Sequence, residues 1–273
     1  MATDVTLTAS IRTNLRSLQN TSSLISRTQD RLSTGKKVNS SLDNAQAFFT
    51  ASGLTNRATD LANLKDTMDQ AISQMGAATK GIDSITTLVN QSKALAVAAQ
   101  STTDTAQQTK LASQYNALVT QINQLAYDAS FGGKNLVNGT SASLVVTFDE
   151  FASHKLTISG VRLDASGLTM QTVTAANWTD SATIESGIAQ VDAGLKTLRA
   201  EASSFGSNNS VLQIRLDFTK NLINTLEEGS SKLVNADMNE ESANLLALQT
   251  RQQMGVISLS IANQSEQSIL KLF

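Results

Sequence analysis

Near the start of the chain, positions at alternating four- and three-residue steps form one stripe: Ile11, Leu15, Leu18, Ser22, Ile25, Gln29 and Leu32. That is a heptad seam with two polar interruptions, and it predicts a first helix. Gly35, just past Leu32, is a helix-stop signal, and Lys36 and Lys37 follow it. The polar stretch 36–44 predicts a connector. A second, long helix starts near Asn44, its seam running Leu61, Leu64, Met68, Ala71, Met75, Ala78, Ile82, Ile85, Val89, Ser92, Ala96 and Ala99. Gly76 and Gly81 each weaken it by about 1 kcal/mol relative to alanine, yet the pattern continues through them. The break comes at Ser101–Asp104. Asp104 followed by Gln107 reads as a capping box, opening a third helix with Leu111, Tyr115, Leu118, Ile122 and Leu125 on one face.

The period then changes. Phe131 to Gly139 is rich in turn residues, and from about Ser143 to Val173 the apolar spacing falls to two. Leu144, Val146 and Phe148, then Leu156 and Ile158, then Leu168 and Met170 predict two or three short antiparallel strands. Helical spacing returns from Ile184 to Leu233. A run of about fifty residues extends roughly 75 Å at 1.5 Å each, and such a helix needs partners along its length. A last helix, from about Asn239 to Leu272, differs from the rest. Met254, Val256, Ile257, Leu259 and Ile261 point around more than one side, so one antiparallel partner leaves apolar surface uncovered. The expected fold is mainly α: a long antiparallel helical bundle or coiled coil, with the terminal helices pairing and a small β-hairpin insert.

Composition sharpens this picture. The 273 residues contain no proline, where about 5% is usual; a chain of long uninterrupted helices has no place for it. Aromatics supply only 4% of residues, which disfavours a compact globule and favours close packing of alanine and leucine along helices. The formal net charge of -2 excludes a broad nucleic-acid footprint. The ends carry opposite charge. Residues 1–37 hold Arg12, Arg16, Arg27, Arg31, Lys36 and Lys37 against Asp4 and Asp30, whereas residues 237–273 hold Asp237, Glu240, Glu241 and Glu266 against Arg251 and Lys271. Arg12, Arg16, Arg27 and Arg31 read as a solvated ladder, with a channel-lining role the lesser reading.

Candidate chemistry is sparse. The absence of cysteine excludes thiolate metal sites, disulfides and cysteine nucleophiles. His154 is the single histidine, and alone it builds neither a zinc site nor a Ser-His-Asp triad. Gly132-Gly133 lacks the strand-then-helix context of a phosphate loop and reads as a turn. Neither an enzyme nor a cofactor is expected. Apolar runs such as Leu144-Val145-Val146 are far shorter than the ~20 residues of a membrane span, and Met1 to Thr6 lacks the start of a secretory signal peptide.

Several short motifs are shared in order with one family. Arg31-Leu32-Ser33-Thr34-Gly35-Lys36-Lys37-Val38-Asn39-Ser40, then Asp43-Asn44-Ala45, resembles the helix-to-spoke signature of bacterial flagellin. Ile11-Arg12-Thr13-Asn14, Leu95-Ala96-Val97 and Phe131-Gly132-Gly133-Lys134-Asn135-Leu136 resemble further family segments. So do Ala236-Asp237-Met238, Gln252-Gln253-Met254-Gly255, Ala262-Asn263-Gln264 and the closing Leu270-Lys271-Leu272. The chain is similar to a short flagellin without large outer domains.

The resemblance implies a structural subunit that polymerises into the extracellular flagellar filament for motility, exported unfolded through the flagellar type III system. It implies an inner-tube helical domain from residues 1–38 and 236–273, and a central bundle from 39–139, with its spoke connector, and 183–235. An exposed β insert spans 140–182. The candidate subunit contacts are Ile11, Leu15, Leu18, Ile25 and Leu32 with Met254, Val256, Ile257, Leu259, Ile261 and Leu270. Thr140, Ser141 and Ser143 are weaker candidates for glycans. The implied partners are further copies, the export apparatus, and the hook-associated and cap proteins, with no nucleic acid and no membrane insertion. Two features depart from the family. Glu266 stands where a proline is frequent, so the last helix is expected to run straight. Gln91-Ser92-Lys93-Ala94 puts Ala94 at a glutamate read by an animal innate immune receptor, which removes charge-assisted contacts and speaks against that recognition. A hook–filament junction protein of the same superfamily and, further off, a secreted coiled-coil adhesin are the alternatives.

Overall fold

The computed structural model describes residues 9–139, 141–174 and 177–270. Five α-helices dominate: α1 (Ala9–Thr34), α2 (Ala45–Ser101), α3 (Thr105–Asp128), α4 (Ser181–Val234) and α5 (Met238–Leu270). Four short strands lie between α3 and α4: β1 (Ser130–Phe131), β2 (Lys134–Asn135), β3 (Ser143–Thr147) and β4 (Lys155–Ser159). The chain divides into two compact units, one formed by residues up to Asn56 with those from Thr225 onward, the other by Arg57–Asn224. The long helices α2 and α4 contribute to both.

In the first unit the starts of α2 and α5 are capped by the residues that the sequence offers. Asn44 Oδ1 accepts the Ala47 N–H at 3.0 Å to open α2, and Asp237 Oδ1 accepts the Asn239 N–H at 2.8 Å to open α5. Gly35 ends α1 at φ +69°, a left-handed conformation that favours glycine. The connector is pinned to the α4–α5 junction: the Lys37 N–H donates to Val234 O at 2.7 Å and the Ala236 N–H to Gly35 O at 2.9 Å. Asp43 ties the connector to itself by accepting the Asn39 and Ser40 N–H groups at 3.0 Å, and those bonds hold its carboxyl below the usual range. α2 and α4 meet here through hydroxyls, Thr55 Oγ1 and Ser230 Oγ at 2.9 Å, with Ser230 also donating to Ala51 O.

The second unit holds the main core. Met68, Met75, Ile82, Ile85 and Val89 of α2 pack with Tyr115, Val119 and Ile122 of α3 and with Ile184, Val191, Leu195, Leu198 and Phe205 of α4. Lys93 Nζ of α2 and Asp192 Oδ1 of α4 pair at 2.6 Å beside it. Tyr115 and Trp178 are fully buried, their ring centroids 4.9 Å apart. A sparse aromatic set thus supplies large buried side chains where α3 meets the turn before α4.

The sequence's strand pattern holds for one hairpin. β3 and β4 pair antiparallel in the register Leu144↔Ile158 and Val146↔Leu156, which buries Leu144, Val146 and Ile158 on one face. Its tip is clamped from two helices: Arg57 Nε meets Glu150 Oε1 at 2.5 Å, and the Arg215 guanidinium lies 5.1 Å over the Phe148 ring. The third expected strand does not form. Leu168 and Met170 are both buried, but they sit in a tight loop in which Leu168 N donates to Asp164 O and Met170 N to Ala165 O. Asp164 nucleates that loop by accepting the Gly167 N–H at 2.8 Å, so the apolar alternation there reflects anchoring and not a ladder. The expected capping box at α3 also differs. Asp104 Oδ1 accepts the Ala106 N–H, while Gln107 Oε1 accepts the Thr102 hydroxyl instead of reaching back to Asp104.

Candidate subunit interface

The helices α1 and α5 pair antiparallel: the groove between them is lined by Asn14, Leu18 and Thr21 with Arg251, Met254 and Ser258 at one end, and by Leu24, Thr28 and Arg31 with Glu241 and Leu248 at the other. On α1 the sheltered positions are Ile11, Asn14, Leu18, Thr21, Ile25, Thr28 and Leu32, with Leu24 and Arg31 half-buried beside them. This seam shares Ile11, Leu18, Ile25 and Leu32 with the stripe read from hydropathy. Its intervening positions are Asn14, Thr21 and Thr28, while Leu15, Ser22 and Gln29 are turned to the exposed side. On α5 the sheltered stripe is Glu241, Leu245, Leu248, Gln252, Gly255, Leu259 and Ala262, again at four- and three-residue steps.

The seam mixes apolar with polar positions: Asn14, Thr21, Thr28, Glu241 and Gln252 stand among its leucines and isoleucines. Thr21 and Thr28 are buried, and the Thr21 hydroxyl donates back to Ser17 O at 2.9 Å. Arg31 Nη1 donates to Glu241 Oε1 at 2.8 Å, joining the two helices near the connector. Arg31 therefore leaves the solvated ladder proposed for the N-terminal arginines, because it alone of the four faces a carboxylate on α5; Arg12, Arg16 and Arg27 are exposed. The pair has a single seam, which leaves the other sides of both helices without a partner, and burial is what stabilises a helix pair.

Within the pair, most of the exposed large apolar side chains belong to α5. Leu246, Met254, Ile257 and Ile261 are 66, 62, 60 and 58% exposed. They follow one another at eight-, three- and four-residue steps; Leu246, Ile257 and Ile261 lie opposite the α1-facing stripe, and Met254 stands between that side and the α1·α5 groove, whose rim it lines. α5 is thus apolar on two opposed faces, with a partner on one. The other candidate contact residues divide between the faces. Ile11 is buried against α5, Leu18, Ile25, Leu32 and Leu259 are half-buried in the pair, and Leu15 and Val256 are exposed on its flanks. The Leu270 side chain and Thr140 lie outside the described residues; Ser141 and Ser143 are exposed.

Nothing resembling a catalytic constellation accompanies this surface. His154 is exposed at the hairpin tip, its Nδ1 3.4 Å from Asp149 Oδ2. Among the described residues there is no cluster of three or more metal-ligating side chains, and no helix is long and apolar enough to cross a membrane. The Arg31–Glu241 pair and the Thr21/Thr28 seam had no individual sequence signal beyond the opposite charges of the two ends.

Known proteins show the same organisation. Residues 6–142 match the model of the bacterial flagellin N-terminal helical region, and residues 188–273 match that of the C-terminal helical region. The chain is 34% identical over 260 residues to flagellin FljM of Caulobacter vibrioides, covering 95% of this chain and 94% of that one. A flagellin of Brucella melitensis is 31% identical over 274 residues, with 97% of each chain covered. The fold is similar to the crystal structure of Bacillus cereus flagellin, with a TM-score of 0.50 and 22% identity over 56% of this chain and 88% of that one. Matched at both helical ends and along nearly its whole length, this chain belongs to the bacterial flagellins, the non-enzymatic structural subunits that polymerise into the extracellular flagellar filament.

Proposed function

We propose that the filament is held together by the outward sides of the α1·α5 pair, with the Leu246–Ile261 stripe of α5 seated against a neighbouring copy. The observation that carries this is the double-faced α5: one heptad stripe meets α1 and the opposed stripe is apolar and exposed. A copy of the same chain is the occupant that a self-polymerising subunit supplies. A contact of the heterologous kind, one that does not close on itself, yields an open helical polymer.

In this reading residues 1–38 and 236–273 form the inner tube, 39–139 and 183–235 the surrounding bundle, and 140–182 the outward-facing insert, with exposed Ser141 and Ser143 available to glycans. Leu15, Val256 and Leu270 extend the contact along the flanks and toward the end of α5. The partly polar α1·α5 seam supports folding of the pair only as copies join, which suits export of an unfolded chain through the type III system and capture beneath the cap and hook-associated proteins. Ala94 in place of a charged side chain disfavours recognition by the innate immune receptor.

The decisive experiment is Ile257→Asp, with Leu15→Asp as its companion. A carboxylate forced into an apolar contact without a partner blocks assembly, so neither variant is expected to sediment as filaments, while circular dichroism shows the α2–α4 bundle intact. Wild-type filaments from Ile257→Asp refute the reading. Limited proteolysis of the monomer is expected to trim both terminal segments, and the filament is expected to resist.

A further inference from the structure

The chain contains no cysteine and six methionines, so thioethers are its only oxidisable sulfur. Among the described methionines, burial sorts them sharply. Met68, Met75 and Met170 are sealed in the core of the second unit, whereas Met238 and Met254 on α5 are 45 and 62% exposed. Met254 borders the outward stripe, three residues before Ile257 and eight after Leu246, and also lines the rim of the α1·α5 groove beside Leu18 and Gly255. Its side chain is therefore open to solvent in a single chain, yet borders the surface that carries assembly.

We propose that Met254 is an oxidation-sensitive gate on filament growth: a peroxide converts its thioether to the sulfoxide in the free subunit, and the modified subunit no longer adds to the filament. The sulfur lone pair attacks one peroxide oxygen, forming the S–O bond as the O–O bond breaks. The departing hydroxide takes the proton of the sulfur-bound hydroxyl and leaves as water, so sulfur is oxidised by two electrons to the sulfoxide and the peroxide is reduced. The product places a strongly polar S=O beside the stripe of Leu246, Ile257 and Ile261, where the neighbouring copy would have to desolvate it without a donor. Once a subunit is seated, the same contact shields the sulfur. Oxidation thus acts on subunits before they join and spares the finished filament. This inference rests on the outward stripe of α5 being covered by a neighbouring copy.

The test is a hydrogen peroxide pulse applied separately to monomers and to intact filaments. Peptide mass spectrometry then locates the sulfoxides, and light scattering follows elongation from unoxidised seeds. In the monomer Met254 and Met238 are expected to oxidise while Met68, Met75 and Met170 do not, and elongation falls by roughly tenfold or more. In filaments Met254 is expected to be protected. Met254→Leu, whatever its own starting rate, is expected to elongate equally before and after the peroxide pulse, whereas Met238→Leu stays sensitive. Met254→Gln elongates poorly without any oxidant, and methionine sulfoxide reductase restores the oxidised wild type. Normal elongation of monomer carrying the Met254 sulfoxide overturns the proposal, as does equal oxidation of Met254 in monomer and filament. If Ile257→Asp blocks assembly and the sulfoxide does not, only the gate falls; if Ile257→Asp assembles normally, the underlying interface falls with it.

Discussion

Leu18 of α1 lies directly over Gly255 of α5: a Cβ built on Gly255 would stand 2.9 Å from Leu18 Cδ2 and 3.2 Å from its Cγ. The missing side chain is what lets the larger residue enter the seam. Alanine at 255 gains about 1 kcal/mol of helix propensity and asks only a rotation of the flexible leucine, so Gly255→Ala is expected to regrow filaments close to the wild-type rate. Gly255→Val adds two further carbons and a β-branch, and it is expected to slow regrowth strongly. Leu18→Ala in the Gly255→Val background restores the space and should recover growth, as followed by light scattering. Wild-type regrowth of Gly255→Val would show that this notch does not set the pairing.

The same arithmetic has the opposite sign inside α2. A Cβ on Gly81 would stand 2.7 Å from Ala129 Cβ, an atom with no rotamer to move, whereas Gly76 has nothing within 4 Å. Gly76→Ala is expected to stabilise the monomer by about 0.5–1 kcal/mol. Gly81→Ala is expected to destabilise it by about 1–3 kcal/mol, and Ala129→Gly in that background should return part of the loss. Urea unfolding followed by circular dichroism measures all three.

Much of this architecture was legible because long proline-free helices state their period repeatedly. The seam of α2 from Leu61 to Ala99, the stop at Gly35 and the break at Asp104 stand where hydropathy places them. The choice between two interleaved stripes on α1 was not legible. Ser22 and Thr21, like Gln29 and Thr28, are neighbours of similar polarity, and only the facing helix decides which turns inward. The same limit hid the Arg31–Glu241 pair, since Arg27 and Arg31 look alike until α5 supplies a carboxylate to one of them. Leu168 and Met170 misled for another reason: their alternation satisfies a strand pattern, but the Asp164 turn closes the backbone into a loop first. The two faces of α5 were legible as an excess of apolar positions around its circumference, and the structure separates them into an occupied and a free one.

The Arg31–Glu241 pair makes the junction of α1 and α5 sensitive to removal of either charge. Glu241 is buried, with its side chain 10% accessible, and Arg31 Nη1 is the donor that satisfies it at 2.8 Å. Arg31→Met leaves that carboxylate without its donor and is expected to cost about 1–3 kcal/mol. Arg31→Met with Glu241→Met removes the unpaired charge as well and is expected to cost less than Arg31→Met alone. Melting of filaments assembled from each variant completes the double-mutant cycle. Equal losses in the single and double variants would mean that the pair contributes nothing beyond the packing of its methylenes.

Tyr115 gives the second unit an alkaline limit that can be assigned to one side chain. Burial beside Trp178 pushes its phenol from 10.0 up to about 12, because the charged phenolate is poorly solvated there. A folded-state pKa above the unfolded one means that the folded chain holds the proton more tightly. The associated stability is therefore complete below about pH 10 and is lost as pH rises toward about 12. Urea midpoints of the monomer should fall across that window more steeply in the wild type than in Tyr115→Phe, which keeps the ring against Trp178 but has no proton to lose. Every other ionisable group is common to both proteins, so the difference between the two curves isolates Tyr115. Parallel curves would show that the phenol reaches solvent in the folded chain, contrary to its burial.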